Sequence, residues 1–250
     1  MFAAKVRGKN MVGILANVGA VVLGGLFGTV FKRYLDPAVT GKLEIVFGIC
    51  AMGMGIRSIV LLENLPPVIA AVVFGTLIGL VFRVGRHIAS GAALLQKPIA
   101  KLTGMHGAAD EAASALLVTA VVLFCFSGTG IYGCLDAGMT GNPSILLSKA
   151  ILDLFASMIF ACTLGAVVSV IAVPQLCIFL ALFAAAKLVL PFTTPAMVAD
   201  FKACGGFLLI ATGFRLSKIQ DFPLADMLPA MVLVMPLSAL WSNCLAPLLF

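Results

Sequence analysis

Residues 37–57 read PAVTGKLEIVFGICAMGMGIR, and residues 195–215 read PAMVADFKACGGFLLIATGFR. At a constant offset of 158 the two stretches share Pro37/Pro195, Ala38/Ala196, Gly48/Gly206, Gly55/Gly213 and Arg57/Arg215. That is five identities in 21 ungapped positions, where chance at this composition gives about two. The second copy lies five hydrophobic spans further along than the first. An odd displacement turns the second copy upside down in a bilayer, and inverted repeats are a construction rule of many secondary transporters.

The composition agrees with a bilayer. Of 250 residues, 62% are hydrophobic and 10% charged, against about 25% charged in a soluble domain. Apolar runs long enough to cross about 30 Å of hydrocarbon recur along the chain. They predict helices at about 11–31, 43–62, 66–82, 112–131, 144–172, 174–190, 202–216 and 227–248. The expected fold is therefore an all-α polytopic membrane protein of about eight transmembrane helices in a single transmembrane domain. An inverted three-helix repeat (helices 1–3, about 11–82, and helices 6–8, about 174–250) surrounds central helices 4 and 5, about 112–172, and a glycine-rich broken segment. Met11–Phe31 reads as a retained helix behind a short basic tail, because no small-x-small cleavage site follows it.

Charge gives topology. With the N-terminus outside, the inner loops collect Lys32, Arg33, Lys42, Arg83, Arg86, Lys97, Lys101, Arg215 and Lys218, and the outer side keeps Lys5, Arg7, Lys9, Lys149 and Lys202. Nine against five favours both termini outside the cytoplasm, although the basic tail pulls the other way. The net charge of +6 sits mainly in loops, so it speaks of lipid and orientation and not of nucleic acid. The polar stretch Arg83–Glu111 sets Arg86, His87, Lys97 and Lys101 around Ile88, Leu94 and Leu95, interrupted at Pro98. It reads either as an amphipathic segment on an anionic leaflet or as a connecting loop.

Several chemistries are excluded. The seven cysteines form no C-x-x-C pair, which argues against a disulfide framework or metal site. His87 and His106 are the only histidines, both in the polar loop. There is no H-E-x-x-H, no Walker A sequence, and no histidine near Ser127 to activate it as a nucleophile. Neither an enzyme nor a cofactor is expected.

Two segments could carry function. Between Ser127 and Pro143 lie Gly128, Gly130, Gly133, Gly138 and Gly141, with Asp136 among them and Asn142-Pro143 at the end. Glycine at this density frees backbone groups, and irregular backbone survives at membrane depth only against protein or a watery cavity. Part of 127–142 is therefore expected to turn back into the membrane, with Asn142 capping helix 5. The bland alternative is a glycine-rich external loop. In helix 5, Lys149, Asp153, Ser157, Ala161, Gly165 and Ser169 recur every fourth residue and share one stripe. Asp153 lies roughly 15 Å beyond Pro143 along that helix, near midplane. A carboxylate there is costly unless paired, protonated or hydrated. Lys149–Asp153 is either a structural ion pair or a coupling-ion site.

The candidate site is thus Asp153, Lys149, Ser157, Asp136, Asn142, Gly130 and Gly133. Arg57 and Arg215 join it if they flank an anionic substrate; otherwise they reach an interface as helix-end arginines. Asn17 and Asn243 read as helix bridges. Gly24-x-x-x-Gly28 and Ala71-x-x-x-Gly75-x-x-x-Gly79 offer faces for close helix packing, within one chain or across a homodimer.

Cys125-Phe-Ser-Gly-Thr-Gly-Ile-Tyr-Gly133, Leu135-Asp-Ala-Gly-Met-Thr-Gly-Asn-Pro-Ser144 and Leu147-Ser-Lys-Ala-Ile-Leu-Asp-Leu-Phe-Ala-Ser157 resemble the central signature of the YqgA/YdfK-type family. Gly205-Gly-Phe-Leu-Leu-Ile-Ala-Thr-Gly213 is similar to that family's second glycine-rich segment. The resemblance implies a bacterial inner-membrane protein with a presumed transport role and no known substrate. Two readings stand. One is a secondary transporter of a small solute or ion. The other is a non-transporting scaffold or assembly protein in which the polar residues are structural.

Overall fold

A computed structural model describes the backbone of residues 2–31, 37–103 and 110–249. Within these, the side chains of 2–10, 37–40, 44, 92, 95–103, 110–115, 248 and 249 are not described. His106 and the loop residues Lys32 and Arg33 lie outside the described residues, as do the side chains of Lys97 and Lys101.

The regular secondary structure among the described residues is helical: α1 (Phe2–Phe31), α2 (Pro37–Ile59), α3 (Leu65–Val81), α4 (Val84–Thr103), α5 (Asp110–Cys125), α6 (Gly128–Thr140), α7 (Ser144–Leu164), α8 (Val167–Val170), α9 (Ala172–Val189), α10 (Pro195–Leu216), α11 (Leu224–Met227), α12 (Pro229–Leu240) and α13 (Ala246–Leu249). Among the described residues six stretches are long and apolar enough to cross a membrane, or seven if α3 and the start of α4, bent by 63°, form one span. Large apolar side chains stand exposed along them, among them Leu15, Leu23 and Phe27 on α1 and Val73, Phe74 and Leu77 on α3. Exposed apolar surface of this extent is stable against lipid and not against water. The protein is a multi-pass membrane protein.

Three expectations need correction. The glycine-rich stretch does not loop back: residues 128–140 form the regular helix α6, and α5 with α6 qualifies as one span, Leu116–Thr140. The interruption is confined to Phe126–Ser127, after which the Ser127 side chain accepts from the Gly130 amide. Helix 5 does not run to residue 172. It ends at Leu164, because Gly165 takes φ 69° and ψ −155°, a conformation essentially reserved for glycine. The polar stretch is not interrupted at Pro98; α4 continues to Thr103. Proline's φ suits a helix, so its cost there is one lost donor and a local clash.

The chain divides into two compact units. The first comprises Met1–Glu44 with His87–Ala186, the second Ile45–Arg86 with Lys187–Phe250. In the first, α1 makes its broadest contact with α7. Gly13 lies against Leu146, Gly24 against Ser157 and Gly28 against Ala161, so partner numbers rise together and the helices run parallel. A Cβ on Gly28 would come within 2.8 Å of the Ala161 Cβ. The Ser169 hydroxyl, just past the α7 break, donates to the Val22 carbonyl at 3.0 Å. Leu117, Val121, Phe124, Val168 and Ile171 fill the apolar core behind this contact.

In the second unit α2 and α10 meet through the residues of the repeat itself. A Cβ on Gly48 would come within 2.6 Å of the Gly213 carbonyl oxygen, and one on Gly213 within 2.6 Å of that of Gly48. Gly55 and Gly206 face one another in the same reciprocal way, at 2.6 and 2.7 Å. Rising numbers meet falling ones, so the helices are antiparallel. Beside them, Gly75 of α3 packs on Ala230 and Gly79 on Asp226, again antiparallel.

Glycine substitutions should separate by contact. Gly28→Leu and Gly55→Leu overpack a closed helix crossing and should destabilise by about 2–3 kcal/mol or more. Gly19→Ala and Gly53→Ala, where an added Cβ meets nothing within 4 Å, should be neutral or slightly stabilising. Thermal unfolding followed by size-exclusion chromatography in detergent checks this. Equal losses at all four positions would contradict the packing assigned to α1/α7 and α2/α10.

Candidate functional site

The site is built on α7. The sequence predicts Asn142 and Pro143 as cap and first residue of this helix; instead α7 starts at Ser144 with Pro143 in the N-cap position and no side-chain cap bond. Asn142 accepts in the turn just ahead of it, from the Ser144 amide at 3.0 Å and the Ser144 hydroxyl at 2.6 Å. One and a half turns on, Lys149 and Asp153 sit on the buried face at 3% and 4% exposure. The Lys149 ammonium donates to both carboxylate oxygens, at 2.8 and 2.6 Å.

Parallel packing of α1 on α7 brings Asn17 level with this pair. Its amide nitrogen donates to Asp153 Oδ2 at 3.0 Å. Its amide oxygen accepts from Gln175 Nε2 at 2.7 Å, in the first turn of α9. The same Gln175 nitrogen donates to the Phe124 carbonyl at 3.2 Å, next to the end of α5. There the chain break at Phe126–Ser127 interrupts the helical ladder, and a neighbouring side chain satisfies backbone that the hydrocarbon could not. Gln175 is fully buried, and its Oε1 has no hydrogen-bond partner among the described residues.

Glycine makes room for this arrangement. A Cβ on Gly130 would come within 2.9 Å of the Phe179 ring and 3.1 Å of Lys149 Cε, and one on Gly133 within 2.9 Å of the Leu146 side chain. The glycines of α6 thus serve close approach to α7 and α9. Ser157, one turn beyond Asp153, donates to the Leu154 carbonyl at 3.0 Å and reaches the Ala20 carbonyl at 3.5 Å, tied into the α1–α7 contact. Asp136 is buried on α6, where its carboxylate accepts from Thr140 Oγ1 at 3.1 Å.

Of the residues singled out from the sequence, the structure brings Lys149, Asp153 and Gly130 into one cluster, with Ser157 a turn away. Asn17 bridges helices, as read, but does so on the charged pair itself. Arg57 and Arg215 belong to the second unit, exposed in the last turns of α2 and α10; Arg215 pairs with Asp221 at 3.1 Å. Asn243 is exposed and makes none of the side-chain bonds found for Asn17. None of the seven cysteines takes part in a disulfide.

Gln175 and Asp200 are among the buried polar residues that the sequence reading did not single out. Gln175 had one available signal: it stands 158 residues after Asn17, the offset of the repeat. Asp200 was placed ahead of its helix, whereas the Thr194 cap starts α10 at Pro195 and carries Asp200 inside. Asp200 is fully buried in the second unit. Its Oδ1 accepts from the Glu63 and Asn64 amides at 3.1 and 2.8 Å, and its Oδ2 from Asn64 Nδ2 at 3.1 Å and the Ser238 hydroxyl at 2.6 Å. Four donors occupy the carboxylate and bind the turn before α3 to α10 and α12.

Comparison with known proteins adds family without activity. The chain is 44% identical over 232 residues to the "Uncharacterized protein YqgA" of Escherichia coli (strain K12), covering 93% of this chain and 98% of that protein. It is 23% identical over 229 residues to the "Uncharacterized membrane protein YdfK" of Bacillus subtilis (strain 168), covering 89% and 93%. No solved structure matches. The family model described as "Protein of unknown function (DUF554)" matches residues 12–239, and with these relatives it establishes that the chain belongs to the DUF554 family.

Proposed function

We propose that this protein is a secondary transporter of a small solute or ion in a bacterial plasma membrane, built from inverted repeats, with Asp153 as its coupling residue. The observation that carries the reading is the broken span α5–α6 beside a buried ion pair. Its interrupted end is held by Gln175, which joins Asn17 and through it Asp153. Discontinuous helices next to charged groups at a repeat interface are the usual form of a transporter site. Asn17 and Gln175 stand at the repeat offset and bond to each other, and Gly48/Gly213 with Gly55/Gly206 meet reciprocally. Self-matching contacts of this kind are what a two-fold relation between copies produces.

Eight spans fit the helix directions. The parallel run of α1 and α7 requires an odd number of crossings between them; α2, α3 and α5–α6 supply three. The charge count favours both termini outside the cytoplasm, an orientation in which Arg57 is external and Arg215 cytoplasmic.

The scaffold reading draws on one observation. Lys149, Asp153, Asn17 and Gln175 are all at most 4% exposed, closed from either side, as a fixed structural pair would be and as an occluded carrier would also be.

Uptake by proteoliposomes, screened over amino acids, organic acids, sugars and inorganic ions under sodium and proton gradients, decides between them. The transporter reading expects gradient-driven uptake of at least one solute, and its loss in Asp153→Asn. Alone, that change leaves Lys149 buried without its counter-charge, which should cost about 3–5 kcal/mol. The double variant Lys149→Met/Asp153→Leu should recover the unfolding temperature and still fail to transport. Uptake in neither wild type nor variant, with a stable double variant, would favour the scaffold.

Topology has its own check. In a cysteine-free background, a membrane-impermeant maleimide applied to intact cells should label Arg57→Cys and not Arg215→Cys. Labelling of both, or of neither until the cells are opened, would contradict the inverted arrangement.

A further inference from the structure

The chemistry around Gln175 is unbalanced. Its nitrogen donates to two oxygens, Asn17 Oδ1 and the Phe124 carbonyl, while its own Oε1, fully buried, accepts from nothing among the described residues. A buried acceptor without a donor is costly. The four neighbouring groups, Asp153, Asn17, Gln175 and the Phe124 carbonyl, present only oxygen as acceptor and carry one formal negative charge between them. Oxygen ligands select hard cations, and a single carboxylate matches a single positive charge. That charge is now met by an internal cation, the Lys149 ammonium, at 2.6 Å from Asp153.

We infer that Asp153, Asn17, Gln175 and the Phe124 carbonyl form a binding site for a small monovalent cation such as sodium, which competes with the Lys149 ammonium for Asp153. In the bound form the Gln175 amide turns so that Oε1 takes the side its nitrogen now occupies, and the nitrogen moves to the side where Oε1 now stands. The oxygens of Gln175, Asn17, Phe124 and Asp153 then converge on the ion. The orphaned oxygen is what distinguishes a cation from a proton: protonation of Asp153 would release Lys149 but leave Gln175 Oε1 without a partner. The end of α5 favours the same sign, since its last carbonyls carry the negative end of the helix dipole. This site rests on the transporter reading for its purpose, as the coupling ion of the same cluster, but binding is measurable without any solute.

The full chain is purified in detergent and unfolded thermally in sodium, potassium or choline chloride at constant ionic strength. The expected result is a saturable, sodium-dependent rise in Tm of at least about 3 °C over choline, with a smaller rise in potassium. Gln175→Leu should abolish the sodium response and, because it also removes the donor to Asn17 Oδ1 and the Phe124 carbonyl, should unfold in choline below the wild-type temperature. Gln175→Met serves as a second oxygen-free variant, and the sodium response of each is read against its own choline value. Direct binding of radioactive sodium to the wild type, saturating near one ion per chain, tests the site without any variant. Identical Tm in sodium and choline, or a sodium response retained in both Gln175 variants, overturns the proposal. Sodium binding without gradient-driven uptake would uphold the site and remove the transporter reading. Proton-driven uptake with no sodium binding would do the reverse.

Discussion

Everything in the first unit depends on how closely α1 can approach α7. Lipid provides no hydrophobic drive to press two helices together, so association rests on surface fit and on polar bonds across the contact. Gly24 and Gly28 remove the side chains that would hold the backbones apart, and Ser157 and Ala161 answer them with small ones. Once that contact closes, Asn17 has one level on α7 to meet, and the group at that level is Asp153. A buried lysine and carboxylate would otherwise be a heavy cost in hydrocarbon. Here the glycine contact supplies the carboxylate with a further donor.

The second unit repeats the device with different residues. Four glycines pair reciprocally between α2 and α10, and one carboxylate, Asp200, gathers two backbone amides, an asparagine and a serine. The two buried carboxylates differ in a way that bears on function. Asp200 accepts from neutral donors that its own fold fixes in place. Asp153 is held chiefly by the ammonium of a long side chain, and the amide chain behind it ends in an oxygen unmatched among the described residues. The first arrangement has no reason to change. The second has an alternative partner for each of its groups.

The break at Phe126–Ser127 is where the architecture and the chemistry meet. Two helical segments in line would ordinarily share an unbroken ladder. Here Ser127 restarts the helix by capping Gly130, and Gln175 reaches across to the Phe124 carbonyl. Irregular backbone at this depth persists only because side chains from elsewhere satisfy it. The side chains that do so are the ones linked to the ion pair, so the interruption and the charge are supported by one connected set of bonds.

Hydropathy and spacing alone determined that this chain is a helical membrane protein, where most of its spans lie, and that Lys149 and Asp153 share one face of a helix. Those properties depend on a local composition and a 3.6-residue period, which a sequence displays directly. The use of each glycine was not legible: Gly130 and Gly133 read equally as loose backbone or as space for a neighbour, and only the presence of Lys149 Cε, Phe179 and Leu146 against them decides for space. The meeting of Asn17 with Asp153, and of Gln175 with both Asn17 and Phe124, joins residues up to 158 apart. No local pattern encodes such a meeting; it follows from which helix faces close on one another. The offset of 158 was visible in the glycines of 48–55 and 206–213, but its continuation through an asparagine and a glutamine was not an identity. Only tertiary packing brings these two positions together, in the hydrogen bond between them.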